Sequence, residues 1–246
     1  MDKVQQAMDA MEVLDSSRLS AAFHAGVDPN MEWEGTSLGE QLVNMYLRGP
    51  GFTDCVRVII KHGWRVDDPA LKAVLLDDDA LLALEIARDP AVIHRTYTFK
   101  CTFTPLLNAS LLHICAEYNL VKCAKVLLDA GADIDHRAGV DIYGFGGQTP
   151  IFHTVNQHNN ACLPMMQLLM QHGADLHFTV AGLIWGKGYD WETFIPSVNP
   201  ISYAMMGLLR QFQRSEAHIY HVVQLLMQAG YDINYQPGNI PNKYLQ

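Results

Sequence analysis

Eleven histidines are the first place to look for chemistry in this chain, because imidazole titrates near neutral pH and is the commonest metal ligand. The closest pairs are His153 with His158, His172 with His177, and His218 with His221. None completes a ligand signature: the i, i+3 pair has no third ligand on its own helix, and H-E-x-x-H is absent. No metal site and no cofactor is therefore expected. A second group, His136, Asp141, His177, Asp190 and Glu192, lies among aromatic residues and could converge with His153, where burial would tune a proton-transfer group. Gly144-Phe145-Gly146-Gly147 lacks the Lys-Ser/Thr of a phosphate loop and reads as a bend, and no G-x-S-x-G elbow occurs. No motif fixes catalytic roles, so a non-catalytic protein is the expectation. The alternative is an enzyme or small-molecule binder with an aromatic and His/carboxylate-lined pocket formed by loops 136–148 and 177–198.

The elements that position these residues are set by composition and period. Hydrophobic residues make up 49% of the 246 positions and charged residues only 17%, which supplies a sizeable core and excludes disorder. A formal charge of −9 repels phosphate and anionic lipid, so nucleic acid is not expected as a partner. The five cysteines, Cys55, Cys101, Cys115, Cys123 and Cys162, form no close C-x-x-C pair and read as reduced, buried thiols. Asp2, Asp9, Glu12 and Asp15 interrupt the first twenty residues, and no apolar run reaches the roughly 18 residues of a membrane helix. A cytoplasmic protein without a membrane segment is expected.

Four segments close alike: A-G-V-D at Ala25–Asp28, A-G-A-D at Ala130–Asp133, H-G-A-D at His172–Asp175 and A-G-Y-D at Ala229–Asp232. H-G-W-R-V-D at His62–Asp67 is a looser copy. An apolar triplet preceded by a polar residue stands before the Gly in four copies, as in Arg57-Val58-Ile59-Ile60 and Lys125-Val126-Leu127-Leu128. That pattern is a helix with a broad buried face and one wet edge. The Gly can end such a helix in a left-handed conformation, and the Asp two residues on can hydrogen-bond the turn. The interval from Gly63 to Gly131, 68 residues, is close to two periods, so a further unit must lie inside it. Asp67-Asp68-Pro69 and Asp77–Asp79 each start a short apolar segment there.

The repeat resembles the ankyrin family, best at Ser110-Leu111-Leu112-His113-Ile114-Cys115-Ala116, Asn119 and G-A-D-I-D at Gly131–Asp135. Thr149-Pro150-Ile151-Phe152 and Asn199-Pro200-Ile201-Ser202 open two more units without the family's His. The resemblance implies an all-α solenoid of about six helix-pair repeats with long inserted finger loops. One repeat domain over 1–246 is expected, with units near 1–30, 37–67, 68–93, 110–135, 149–177 and 199–234. It also implies that His113 caps its helix and hydrogen-bonds between units. Extra residues fall mostly between units; another ten join two helices around Gln211–Glu216.

Segments 27–37, 94–109, 136–148 and 177–198 hold eleven of the chain's 23 Phe, Trp and Tyr residues, where loops are ordinarily polar. These rings either fold back as satellite clusters or form a recognition surface; as a set they favour recognition. The expected partner is a protein or peptide on the concave finger side, with a small organic ligand as the alternative. Trp185, Tyr189 and Trp191 are the expected anchors, with Tyr143, Phe145, Phe178 and Trp33 beside them and Asp141, Lys187, Asp190 and Glu192 as polar rim.

Overall fold

Side-chain acceptors placed just before apolar runs fix where the helices begin. Asp15 accepts from the N–H groups of Ser17 and Arg18, Asp68 from those of Ala70 and Leu71, and Asp78 from that of Leu81. Ser37 and Glu40 form a reciprocal capping box, as do Asn199 and Ser202. In the computed structural model, which describes residues 2–101, 103, 105–206 and 215–230, these signals produce six consecutive helix pairs. The pairs are α1 (Lys3–Glu12) with α2 (Ser16–His24), α3 (Leu38–Asn44) with α4 (Phe52–Lys61), and α5 (Pro69–Leu75) with α6 (Asp79–Arg88). They continue with α7 (Leu111–Tyr118) and α8 (Val121–Asp129), α9 (Phe152–Val155) and α10 (Leu163–Gln171), and α11 (Pro200–Ala204) and α12 (Glu216–Gly230).

Members of each pair pack on one another, and successive pairs stack, α5 on α7 on α9 on α11 and α6 on α8 on α10. One apolar cluster runs through the stack from Ala7 in α1 to Leu226 in α12. Gly26, Gly63, Gly131 and Gly173 close their helices with φ between +84° and +101°, a backbone that a Cβ would strain. The Asp two residues later accepts the turn's N–H, Asp28 from Asn30, Asp133 from Asp135 and Asp175 from His177. All five cysteines are buried and unpaired, and burial pushes the Cys55 and Cys101 thiols up to about 11. No helix among the described residues is long and apolar enough to cross a membrane. The expected insertion at 211–214 and the expected end of the sixth unit at 231–234 lie outside the described residues.

The all-α expectation is corrected. Half of the described residues are helical, but about 12% of them form three two-stranded antiparallel sheets, all in the inserted segments between helix pairs. They are β1 (Glu32–Trp33) with β2 (Thr36–Ser37), β3 (Thr96–Phe99) with β4 (Leu106–Ser110), and β5 (Val180–Trp185) with β6 (Thr193–Val198). The physical reason is main-chain satisfaction. Two extended arms running side by side pair their N–H and C=O groups rather than leave them unmet against a protein face. In β5–β6 the register runs from Val180 opposite Val198 to Trp185 opposite Thr193. A fourth finger, over 137–148, forms no strand pair beyond one bridge between Val140 and Gly146, and is closed by main-chain bonds from Ala138 N–H to Gln148 C=O, Gly147 N–H to Gly139 C=O and Asp141 N–H to Phe145 C=O.

Candidate functional site

Three of the four fingers are tied to one another by their own backbones. Gly139 N–H donates to Leu107 C=O at 2.6 Å, Gly146 N–H to Gly182 C=O at 2.9 Å, and Gly186 N–H to Phe103 C=O at 3.1 Å. These bonds join the β3–β4, 137–148 and β5–β6 fingers into one platform. Close approach explains Gly182, where a Cβ would stand 2.7 Å from the Phe194 ring. At Gly186 a Cβ would stand 2.3 Å from the Trp191 ring, and φ is +60°.

Asp141 organises the 137–148 finger. Its Oδ1 accepts from the N–H groups of Tyr143 and Phe145, and its Oδ2 lies 3.2 Å from Lys187 Nζ on the neighbouring finger. Desolvation works against its charge, but those two N–H groups and then Lys187 hold the carboxyl below its ordinary value. Glu192 Oε2 accepts from Gly188 N–H and closes the β5–β6 tip. Asp141, Lys187 and Glu192 thus have structural partners, whereas Asp190 is exposed at the tip.

The expected aromatic anchors divide between two faces. Tyr143 is 73% exposed, Tyr189 51%, and Trp191 38%. Tyr189 and Trp191 stack with centroids 5.4 Å apart, and Tyr143, Phe145 and Phe194 form a second run, with 4.8 Å between Phe145 and Phe194. Trp185 is corrected as an outward anchor: it is 6% exposed, because β5 turns that side chain toward the helices, where its Nε1–H donates to Tyr203 Oη at 2.9 Å. Phe178 is half-buried, edge-on to Phe152 and under the Arg137 guanidinium. Trp33 is half-buried against the core, on the short β1–β2 finger. Sequence reasoning, following rings, missed the aliphatic side chains Val140 and Ile142, the latter 90% exposed. The signal was available: V-D-I-Y in a glycine-rich segment places three apolar residues around a turn-forming Asp.

Beneath the platform is a cavity of about 130 Å³. Phe103, Phe152, Trp185 and Tyr203 line it with aromatic surface, and Arg48, Glu117 and His153 line it with charge. Arg48 Nε–H donates to Glu117 Oε1 at 2.8 Å, and His153 Nδ1 lies 2.8 Å from Glu117 Oε2. The Arg48 guanidinium also donates to the carbonyls of Met45 and Leu47 and stands 4.5 Å from the centroid of the Tyr118 ring. Burial alone would raise the Glu117 pKa, but Arg48 and then His153 hold it down at about 2.

Of the polar group expected to converge on His153, none lines its cavity, and His136 approaches it through His113. His136 lies 5.8 Å from His113, and His113 lies 5.5 Å from His153, ring centroid to ring centroid. His177, Asp190 and Glu192 do not line the cavity, to which the inserted loops contribute Phe103, Gln148 and Trp185. His113 spans units: Gln148 C=O can only accept, so His113 Nε2–H donates to it at 2.9 Å, leaving Nδ1 to accept from Ser110. Glu117 and Arg48 were missed. The signal for Glu117 is its place in α7, where every residue is buried and a carboxylate needs a partner.

The ankyrin-repeat family model matches residues 108–138, which cover α7, α8 and the Gly131 turn. This stretch is an ankyrin repeat, and such repeats are in general protein-interaction modules. No curated protein matches the chain.

Proposed function

We propose, starting from the ankyrin repeat at 108–138, that the chain is a non-catalytic recognition protein that binds a protein or peptide segment across its joined fingers. One observation carries this reading. Val140, Ile142, Tyr143, Tyr189, Trp191 and Phe194 are all exposed, and they stand on two adjacent fingers linked by a main-chain hydrogen bond and by the Asp141–Lys187 pair. Apolar and aromatic side chains grouped on a platform mark interaction surfaces, whereas singly scattered ones need no explanation. Asp141, Lys187, Asp190 and Glu192 supply the polar rim around them, and the β3–β4 finger adds Lys100 to a groove of about 360 Å³ between the three fingers. Tyr189 and Trp191 offer large, stiff contact area at low entropic cost.

A photo-crosslinking residue tests the reading. It is placed at Ile142, and in a separate variant at Leu84, another exposed apolar position, on α6 and 63% exposed. The expected outcome is a discrete adduct from the Ile142 position in native-host lysate, none from Leu84, and loss of the adduct when Tyr143→Ala and Trp191→Ala are combined. Equal labelling from both positions, or an adduct indifferent to those two substitutions, would remove the fingers from consideration.

A further inference from the structure

The outer edge of β5 is bonded to its neighbours at two points and open between them. In an antiparallel pair, successive residues point their N–H and C=O groups alternately toward the partner strand and away from it. Gly182 C=O accepts from Gly146 and Gly186 N–H donates to Phe103, so the even-numbered residues from 182 to 186 point theirs away from β6. Pro196, which has no N–H to give, stands opposite Gly182 and agrees with that alternation. Ile184 lies midway, opposite Phe194 in an unbroken register, so its N–H and C=O face the gap between the 137–148 finger and Phe103. Neither group has a hydrogen-bond partner among the described residues, and Ile184 is only half-buried.

The groove of about 360 Å³ occupies that gap, since Pro105, Gly146 and Ile184 all line it. Pro105 has no N–H to offer Ile184 C=O. The walls are completed by Phe99, Leu107, Phe145 and Tyr189, and the charged groups are Lys100, Lys187 and Asp141. Two cations to one anion make this a locally positive site in a chain of formal charge −9. The Asp141 carboxylate is already committed to Tyr143, Phe145 and Lys187. Lys100 is exposed and has no ion-pair partner among the described residues.

Resting on the recognition reading, we propose that this groove takes one extended, acidic segment of the protein partner. Its main chain bonds to Ile184 N–H and C=O, its apolar side chain packs among Phe99, Leu107 and Phe145, and its carboxylate faces Lys100. An open strand edge captures peptides through main-chain bonds, while pockets and charge select among them. The open stretch between Gly182 and Gly186 matches about three extended residues.

Acetyl-Glu-Leu-Glu-amide is the probe, added to the full chain, with acetyl-Lys-Leu-Lys-amide and an analogue N-methylated at every residue as controls. In the free chain the Ile184 amide is expected to exchange its hydrogen at least about tenfold faster than those of Leu183 and Trp185, which bond across to β6. The Glu peptide is expected to bind with a dissociation constant on the order of 1 mM and, at about ten times that concentration, to slow Ile184 exchange about tenfold. Both control peptides are expected to bind at least about fivefold more weakly, and Lys100→Gln to weaken the Glu peptide about threefold. An Ile184 amide as protected in the free chain as Leu183, no added protection from the peptide, or equal binding of either control would overturn the proposal. An Ile142 adduct alongside any of those results leaves recognition across the fingers standing without the groove, whereas loss of the adduct as well removes the recognition reading itself.

Discussion

The β5–β6 finger carries two tryptophans six residues apart that belong to different environments. Trp185 faces inward, hydrogen-bonded to Tyr203 and close to the buried Arg48–Glu117–His153 network. Trp191 lies past the turn, partly exposed and stacked on Tyr189, with Phe103 5.3 Å away. The same residue type therefore stabilises the fold at one position and presents surface at the other. What separates them is strand direction. Side chains alternate sides along a strand, and the turn at Gly186–Gly188 ends that alternation.

Substitutions that split the two environments should follow their burial. Glu117→Ala should have the largest effect, about 3–5 kcal/mol by chemical denaturation, because it strands Arg48 as an unpaired buried charge. A loss below about 1 kcal/mol would mean that water reaches the network. Acid sharpens the same point. A carboxyl held below its unfolded value adds stability that is complete above the unfolded value and is lost as pH falls through the folded one. The denaturation midpoint should therefore drop as pH falls from about 4.5 to about 2, and Glu117→Gln should flatten that part of the profile. Trp185→Ala should cost about 3 kcal/mol through its cavity and the lost bond to Tyr203, against about 1 kcal/mol for Trp191→Ala. Equal losses would erase the distinction between inner and outer faces. Ile142→Ala should change stability by less than about 0.5 kcal/mol while lowering partner capture, the smallest thermodynamic effect of the series.

Helix pairs were legible because their signals are local. Asp68 before Pro69, Asp78 before an apolar run, and Gly26, Gly63, Gly131 and Gly173 after one each act within a few residues, and the structure uses them as caps and turns. The strands were not legible, because their cause is pairing between arms. Val180–Trp185 is V-A-G-L-I-W, which has no clean alternation, and the sequence does not show that it faces Thr193–Val198. The buried network was harder still. Glu117 and His153 are separated by 36 residues, and Arg48 and Glu117 by 69, so no spacing rule links them. Aromatic enrichment located the fingers, but enrichment carries no orientation, and so Trp185 read as an outward anchor.

The bonds from Gly139 to Leu107, Gly146 to Gly182 and Gly186 to Phe103 bear on kinetics as well as architecture. Arms anchored this way are stiffened before any encounter, so docking freezes few additional degrees of freedom. Mutations along the exposed rings should accordingly shorten complex lifetime while leaving the rate of capture little changed.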